Sequence, residues 1–284
     1  MNYQHAFHAG NHADVLKHVA LLALCDALLA KPAPVFALDT HAGAGLYHLQ
    51  ADAAQRTGEA SGGIGRLQRG LHPAIDRYLG AVADCGAMHG ADAYPGSPWL
   101  LAHALRAQDR IACCELQPGP LDTLKAALGG DARVAIHGRD GYGAMKALLP
   151  PKPGGAAFNR GLVLVDPPYE AQLAEFDAAF AALRDGLQRW PQGMFALWYP
   201  VKTRRALARM QRSAAAMPAK SLLQVELLVR ADDSPLRMNG SGLLVWNAPW
   251  RFDDTMRQAT KALVQPLADG PGGGSIVQWL RSPA

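Results

Sequence analysis

The sequence predicts an α/β fold in which a mainly parallel sheet carries helices on both faces and an inserted helical subdomain interrupts the alternation. Short apolar runs recur at Val35–Asp39, Arg110–Glu115, Val134–His137 and Gly161–Val165. All four read as strands, and Val35–Asp39 and Gly161–Val165 as buried ones, because a strand covered on both faces shows no polar alternation. Segments with helical spacing lie between most of them, which is the pattern of parallel strands joined by crossovers. The interval from Asp39 to Arg110 far exceeds the roughly 20 residues that separate the first two strands of a doubly wound sheet.

In chain order, residues 1–10 end in Phe7-His8-Ala9-Gly10 and are not expected to be helical. A helix starts near Asn11 to Asp14, carries Val15, Val19 and Leu22 on one face, and stops at Lys31-Pro32-Ala33-Pro34. The first strand closes on Asp39 and is followed by the glycine turn Thr40-His41-Ala42-Gly43-Ala44-Gly45. A glycine-rich stretch at 58–65, a helix around 75–82 and the turn Tyr94-Pro95-Gly96-Ser97-Pro98 fill the long interval, giving an insert at 46–95 within a core of 1–45 and 96–284. The postponed core helix then runs from Pro98 to Gln108. Helices at 121–128, 143–148 and 171–190 alternate with strands at 134–137, 161–165 and 194–199. A basic helix at 203–217 precedes two late strands, 221–229 and 242–246, whose succession suggests an antiparallel edge; a last strand covers 275–280.

A chain of 284 residues with net charge +4 is large enough for a sizeable core but too mildly basic for its charge alone to indicate a nucleic-acid partner. Its four cysteines, Cys25, Cys85, Cys113 and Cys114, form no CxxC pair and read as reduced, buried thiols; no Cys/His spacing suggests a metal. There is no signal-peptide pattern at the N-terminus and no apolar stretch long enough to span a bilayer, so a cytoplasmic protein without membrane association is expected.

Ligands of an open parallel sheet sit beyond the carboxyl ends of its strands. Asp39 and the Gly43/Gly45 turn stand at the first such end, Glu115 at the second, Asp140 after the third and Asp166 at the fourth. Small residues in the first turn let backbone approach a ligand closely. An acid at the end of the second strand can accept both ribose hydroxyls of an adenosine cofactor. Asp140 followed by Gly141 can pair with an adenine amine while a neighbouring N–H meets a ring nitrogen. The dinucleotide GxGxxG is absent, since Gly45 is followed by Leu46-Tyr47-His48, and this favours S-adenosylmethionine over NAD.

The strongest signal is Leu162-Val163-Leu164-Val165-Asp166-Pro167-Pro168-Tyr169. An exocyclic adenine amine is a poor nucleophile because its lone pair is delocalised into the ring. The Asp166 carboxylate and the Pro167 carbonyl can bind both amine hydrogens and aim the lone pair at the sulfonium methyl. The prolines stiffen that backbone. Tyr169 offers a face on which an extruded base can stack, worth about 1–3 kcal/mol against the few kcal/mol of unstacking. Taken alone the tetrad indicates amine methylation and leaves DNA, RNA and protein amides open as substrates.

Lys17 and His18 lie on the first helix, where they could pair with a carboxylate such as that of a methionine moiety or form a solvated face. Tyr3 is either a site residue or an N-terminal anchor. Lys202, Arg204, Arg205, Arg209 and Arg212 form a basic stripe that suits phosphates or bulk water equally well.

Together these segments resemble the RlmJ-type 23S rRNA adenine-N6 methyltransferases. The resemblance rests on Tyr3-x-His5-x-Phe7-His8-Ala9-Gly10-Asn11-x-Ala13-Asp14-Val15-Leu16-Lys17-His18 and on Leu38-Asp39-Thr40-His41-Ala42-Gly43-Ala44-Gly45. It continues in Arg56-Thr57-Gly58-Glu59, Tyr94-Pro95-Gly96-Ser97-Pro98, Asp166-Pro167-Pro168-Tyr169-Glu170 and Ala196-Leu197-Trp198-Tyr199-Pro200, and so covers essentially the whole chain. It implies a Rossmann-like class I S-adenosylmethionine-dependent methyltransferase with a small helical insert, acting on one adenine of 23S rRNA without a metal. It also implies cofactor contacts from His18, His41, Ser97, Glu115, Asp140, Gly141 and Asp166, support of the site by Lys17, substrate contact by Tyr3, and catalysis by Asp166. A departure, Asn247-Ala248-Pro249-Trp250 where the family tends to have two prolines, is expected on a late strand away from the cofactor. A monomer is expected. The competing readings are a DNA adenine-N6 methyltransferase, against which no separate target-recognition domain is visible, and a non-catalytic RNA-binding protein on the same fold, against which the intact strand-end acids argue.

Overall fold

Asn11 starts the first helix: its side-chain oxygen accepts the backbone N–H groups of Ala13 and Asp14 at 2.9 and 3.0 Å, satisfying two of the donors a helix start leaves unpaired. The computed structural model describes residues 5–51, 58–155, 157–169, 172–235 and 238–283. Within these, a 3₁₀ turn at His5–Phe7 leads into helix α1 (His12–Leu29), followed by strands β1 (Phe36–Asp39) and β2 (Leu46–His48). One helical turn at Glu59–Gly62 precedes α2 (Pro73–His89), β3 (Ala93–Pro95) and α3 (Ser97–Ala104). Alternation then resumes with β4 (Arg110–Cys114), α4 (Pro118–Leu128), β5 (Val134–His137), α5 (Gly141–Leu148), β6 (Gly161–Val165), α6 (Gln172–Arg189), β7 (Met194–Val201) and α7 (Arg204–Ala215). The chain ends with β8 (Leu222–Leu228), β9 (Gly240–Trp246), α8 (Phe252–Leu267) and β10 (Gly274–Arg281).

The main sheet has the order β10-β8-β9-β7-β6-β1-β4-β5. Strands β5, β4, β1, β6 and β7 are parallel, β9 is antiparallel to both β7 and β8, and β10 is antiparallel to β8. From β1 the chain builds outward first through β4 and β5 and then through β6 and β7. The crevice therefore opens between β1 and β6, where the winding direction reverses. This is the Rossmann-like arrangement expected from the sequence. One apolar layer packs α1, α2, α3 and α8 on one face of the sheet. The other packs α5, α6 and α7, with Trp190, Phe195 and Trp246, on the opposite face.

Three differences from the sequence reading have physical causes. The late pair β8/β9 is antiparallel but is not the sheet edge: β9 is buried along its whole length between β7 and β8, and β10 forms the edge. Helix α8 was not expected, although Phe252, Met256, Leu263 and Leu267 recur along one buried face. The interval 46–95 is not purely helical, since β2 and β3 pair as a small antiparallel sheet. In addition, Asn247 lies in a left-handed turn just past β9 rather than on the strand, and its side-chain amide donates to the carbonyls of Pro191 and Gly193 at 3.0 and 2.8 Å.

The link from α1 to β1 is fastened to the start of β4 by Asp109, which is fully buried. Its carboxylate accepts the N–H groups of Val35 at 2.9 Å and Arg106 at 2.8 Å, and the Arg106 guanidinium at 3.0 Å. Burial pushes this carboxyl up, but the Arg106 and backbone hydrogen bonds more than offset that and hold it below its ordinary value. The linked stability is present above the ordinary carboxyl range and is lost as pH falls through the depressed value. Asp109→Ala leaves a buried N–H unpaired. It is expected to cost about 2–3 kcal/mol, read as a lower urea midpoint with an unchanged denaturant slope.

Candidate active site

A cavity of about 650 Å³ opens at the carboxyl ends of β1, β4, β5 and β6. Its walls include His5, Lys17, His41, Gly43, Ser97, Glu115, Asp140, Gly141, Asp166 and Pro168. The floor is the turn after β1. Gly43 has φ +61°, a left-handed conformation, and a Cβ there would fall 2.4 Å from the Tyr47 hydroxyl. The Glu115 carboxylate spans this turn and its own: one oxygen accepts Gly43 N–H at 2.9 Å and the other Gln117 N–H at 2.7 Å. The acid is thus fixed at the rim with lone pairs left over for hydroxyls. Asp140 caps α5 by accepting Gly143 N–H at 2.6 Å. Gly141 presses so closely on the first turn that a Cβ would lie 2.0 Å from the Thr40 carbonyl oxygen.

The opposite wall is a chain of charges. Lys17 Nζ lies 2.7 Å from Asp166 Oδ2 and 2.8 Å from Asp14 Oδ1. The other Asp14 oxygen accepts Gly10 N–H at 3.0 Å and lies 3.1 Å from His5 Nε2, while the His5 ring tilts over Tyr47 at 5.0 Å. Burial works against the charge on Lys17, yet Asp14 and Asp166 more than compensate and hold the ammonium well above its ordinary value. Burial likewise pushes the Asp14 carboxyl up, and His5, Lys17 and His18 pull it well below. His41 is driven down to about 4 by burial and is neutral at pH 7. Its Nδ1 lies 2.8 Å from the Thr40 hydroxyl, and its ring meets that of Tyr142 edge-on.

Two buried polar atoms behind the cavity wall have no hydrogen-bond partner: His18 Nε2 and Asp39 Oδ2. Buried polar groups of this kind are usually satisfied, and neither residue lines the cavity. Burial, with the charge of Asp166 adding to it, pushes the Asp39 carboxyl up to about 6; the neighbouring Ser97 hydroxyl and the His41 N–H only partly offset this. Acids ready for hydroxyls and an amine, backbone brought close by glycine, and the Lys17 ammonium on the wall fit a nucleoside with a charged amino-acid tail, as in S-adenosylmethionine. Among the described residues, no group of three or more His, Cys, Asp and Glu is placed to hold a metal ion.

Of the residues singled out in the sequence, the cavity wall brings together Lys17, His41, Ser97, Glu115, Asp140, Gly141 and Asp166. It does not include His18, whose fully buried ring sits behind it with Nδ1 3.1 Å from the Tyr94 hydroxyl. Pro167 and Tyr169 are buried beside the cavity, and Pro168 is the proline that lines it. The Tyr169 ring packs against Phe176 and Trp198, and its hydroxyl donates to the Trp198 carbonyl at 2.6 Å. The ring is therefore not presented as an open stacking face in this conformation. Tyr3 lies outside the described residues. Lys202, Arg209 and Arg212 are exposed and are not part of the cavity wall. The sequence reading gave no role to Asp14, His5, Tyr142 or Glu175, although Asp14 stands at helical spacing from Lys17. Tyr142 donates its hydroxyl to Glu175 at 2.7 Å, and both line the cavity.

Residues 32–281 match the family model RsmJ, described as ribosomal RNA large subunit methyltransferase D, RlmJ. The chain is 36% identical over 282 residues to ribosomal RNA large subunit methyltransferase J of Escherichia coli (strain K12), covering 99% of both chains. It is 37% identical over 285 residues to the protein of the same name from Haemophilus influenzae, again covering 99% of both. A crystal structure of a protein from Legionella pneumophila superposes with a TM-score of 0.82 at 28% identity, covering 95% of this chain and 98% of that one.

The raised Asp39 carboxyl has a direct consequence for stability. Because the folded-state value of about 6 lies above the ordinary one, the fold favours the protonated form. The linked stability is present at low pH and is lost as pH rises through about 6. Asp39→Asn is expected to raise the melting temperature of the ligand-free protein at about pH 8, where the wild type buries an incompletely paired charge, and to change it little near about pH 4.

Proposed function

The chain belongs to the RlmJ family and is a ribosomal RNA methyltransferase with S-adenosylmethionine as its methyl donor, and we propose that it methylates the N6 amine of a single adenine in 23S rRNA, with that base turned out of its stack. The observation that carries this reading is Asp166-Pro167-Pro168 at the carboxyl end of β6, with the Asp166 carboxylate on the cavity wall and one of its oxygens fixed by Lys17.

The donor supplies a methyl group on a sulfonium sulfur. The chain's own residues supply position and charge. Lys17 occupies Oδ2 of Asp166, which leaves Oδ1 for an amine hydrogen; the Pro167 carbonyl takes the second. With both hydrogens held, the nitrogen lone pair points along the remaining direction, toward the methyl. As the N–C bond forms and the S–C bond breaks, the electron pair stays on sulfur and the amine becomes cationic. The Asp166 carboxylate stabilises that charge and stands where the departing proton can be taken. We assign the ribose hydroxyls to Glu115, the donor's adenine to Asp140 and Gly141, and its methionine end to Lys17, His18, His41 and Ser97. Tyr3 and Tyr169 are assigned to the substrate base; Tyr169 would stack on it after its hydroxyl leaves Trp198.

Residues 1–45 and 96–284 are taken as the core and 46–95 as an insert that reaches the cavity through Leu46, Tyr47 and His48. A ribosomal RNA substrate implies work in the cytoplasm. Because one chain brings Lys17, His41, Ser97, Glu115, Asp140, Gly141 and Asp166 to one cavity, a monomer is taken as the active unit. Among the described residues, no helix is long and apolar enough to cross a membrane.

With a 23S rRNA fragment and S-adenosylmethionine, the wild type is expected to yield N6-methyladenine at one position by mass mapping. Asp166→Ala is expected to abolish the product while keeping the wild-type circular dichroism and melting curve. Full activity of a well-folded Asp166→Ala would overturn the mechanism, and equal methylation of duplex DNA would overturn the substrate assignment.

A further inference from the structure

Lys17 is almost completely buried, and a buried ammonium needs more than one partner to hold its proton. Asp166 supplies one partner. The other is Asp14, one helical turn earlier on α1, where the partial positive charge of the helix N-terminus also favours a carboxylate. We propose that Asp14 is a positioning residue for methyl transfer that acts through Lys17: it holds the Lys17 ammonium on Oδ2 of Asp166 and, with that ammonium in place, keeps the three charged groups at net −1.

This inference rests on the adenine-amine reading above. Its core is a charge balance. Lys17 paired with Asp166 alone would make a neutral wall. The donor is cationic at sulfur, and the amine gains positive charge as the methyl arrives, so a wall of net −1 favours both where a neutral one would not. Asp14 restores that charge without competing for the base, because its two oxygens are already engaged by Lys17, His5 and Gly10 N–H. It acts through Lys17; Lys17, His5 and Asp166 are the members of the chain of charges that reach the cavity.

The other groups that bear on Lys17 are known. His18 on α1 is neutral, driven down to about 3 by burial. Asp39 at the end of β1 carries a carboxyl raised to about 6 by burial. The phenols of Tyr47 on β2 and Tyr78 on α2 are both pushed up by burial and stay uncharged. Removing Asp14 therefore leaves Asp166 and Asp39 as the carboxylates near a buried ammonium, and the ammonium then releases its proton at lower pH.

The test is kcat of the full chain on a 23S rRNA fragment across about pH 7 to 10, for Asp14→Asn, Asp14→Glu, Lys17→Gln and the double variant Asp14→Asn/Lys17→Gln. Asp14→Asn is expected to lose about tenfold or more in kcat near neutrality and to fall further as pH rises, while the wild type stays flat and Asp14→Glu recovers the flat profile. In the Lys17→Gln background, which contains no buried ammonium to strand and so folds even where Asp14→Asn alone does not, Asp14→Asn is expected to change kcat by less than about twofold. Losses that add across the cycle would overturn the proposal. So would an Asp14→Asn enzyme with the wild-type pH profile. If Asp166→Ala proves fully active, the reaction assignment fails independently of this cycle.

Discussion

The position of Lys17 between two carboxylates joins parts of the chain that the sequence keeps far apart. Asp166 lies 149 residues from it, at the end of a central strand, while Asp14 lies one turn away on the same helix. Because Lys17 is shielded from water, the pairs on either side of it are screened little and must hold together. Helix α1 can therefore neither rotate nor slide without stranding a buried charge. The His5 turn, the carboxylate of the Asp166 tetrad and the cavity mouth between them all take their positions from that requirement.

The sheet supplies the rest of the frame. Winding outward from β1 in both directions brings the ends of β1, β4, β5 and β6 to one crevice, so acids as far apart as Glu115, Asp140 and Asp166 share one cavity. Glu115 and Asp140 are fixed by backbone N–H groups, which holds their carboxylates without consuming all their acceptor capacity. Close backbone contacts at Gly43 and Gly141 draw the floor tight. The result is a pocket rich in fixed negative charge, with neutral histidines at His18 and His41, suited to a cationic methyl donor and a nucleophile that becomes cationic as it reacts.

Much of this was legible in the sequence because the central parallel strands β1, β4 and β6 are buried on both faces, and the half-exposed edge strand β5 still shows a short apolar run. The strands at 134–137 and 161–165 begin and end where the structure places them. The strand-end acids were legible for the same reason: a polar residue that closes an apolar run has nowhere to point but the crevice. Other features were not. Strands β2 and β3 are three residues each and far apart in sequence, too short to show a period. Helix α8 was hidden by the polar residues interspersed along it. Lys17 and His18 were read together, but consecutive helical residues point about 100° apart, so Lys17 faces the cavity and His18 turns toward Tyr78 and Tyr94. The packing of Tyr169 against Phe176 and Trp198 depends on where α6 and β7 lie, which no local pattern encodes.

The account stands or falls on the identity of the methylated atom. Its most direct test is mass mapping of methyladenine along 23S rRNA from a strain lacking this gene, compared with the same strain after the wild-type gene or its Asp166→Ala variant is restored. The expected result is one adenine that loses its N6-methyl group on deletion and regains it only with the wild-type gene. A 23S rRNA whose methyladenines are unchanged by the deletion, or a site restored equally by Asp166→Ala, would contradict the account.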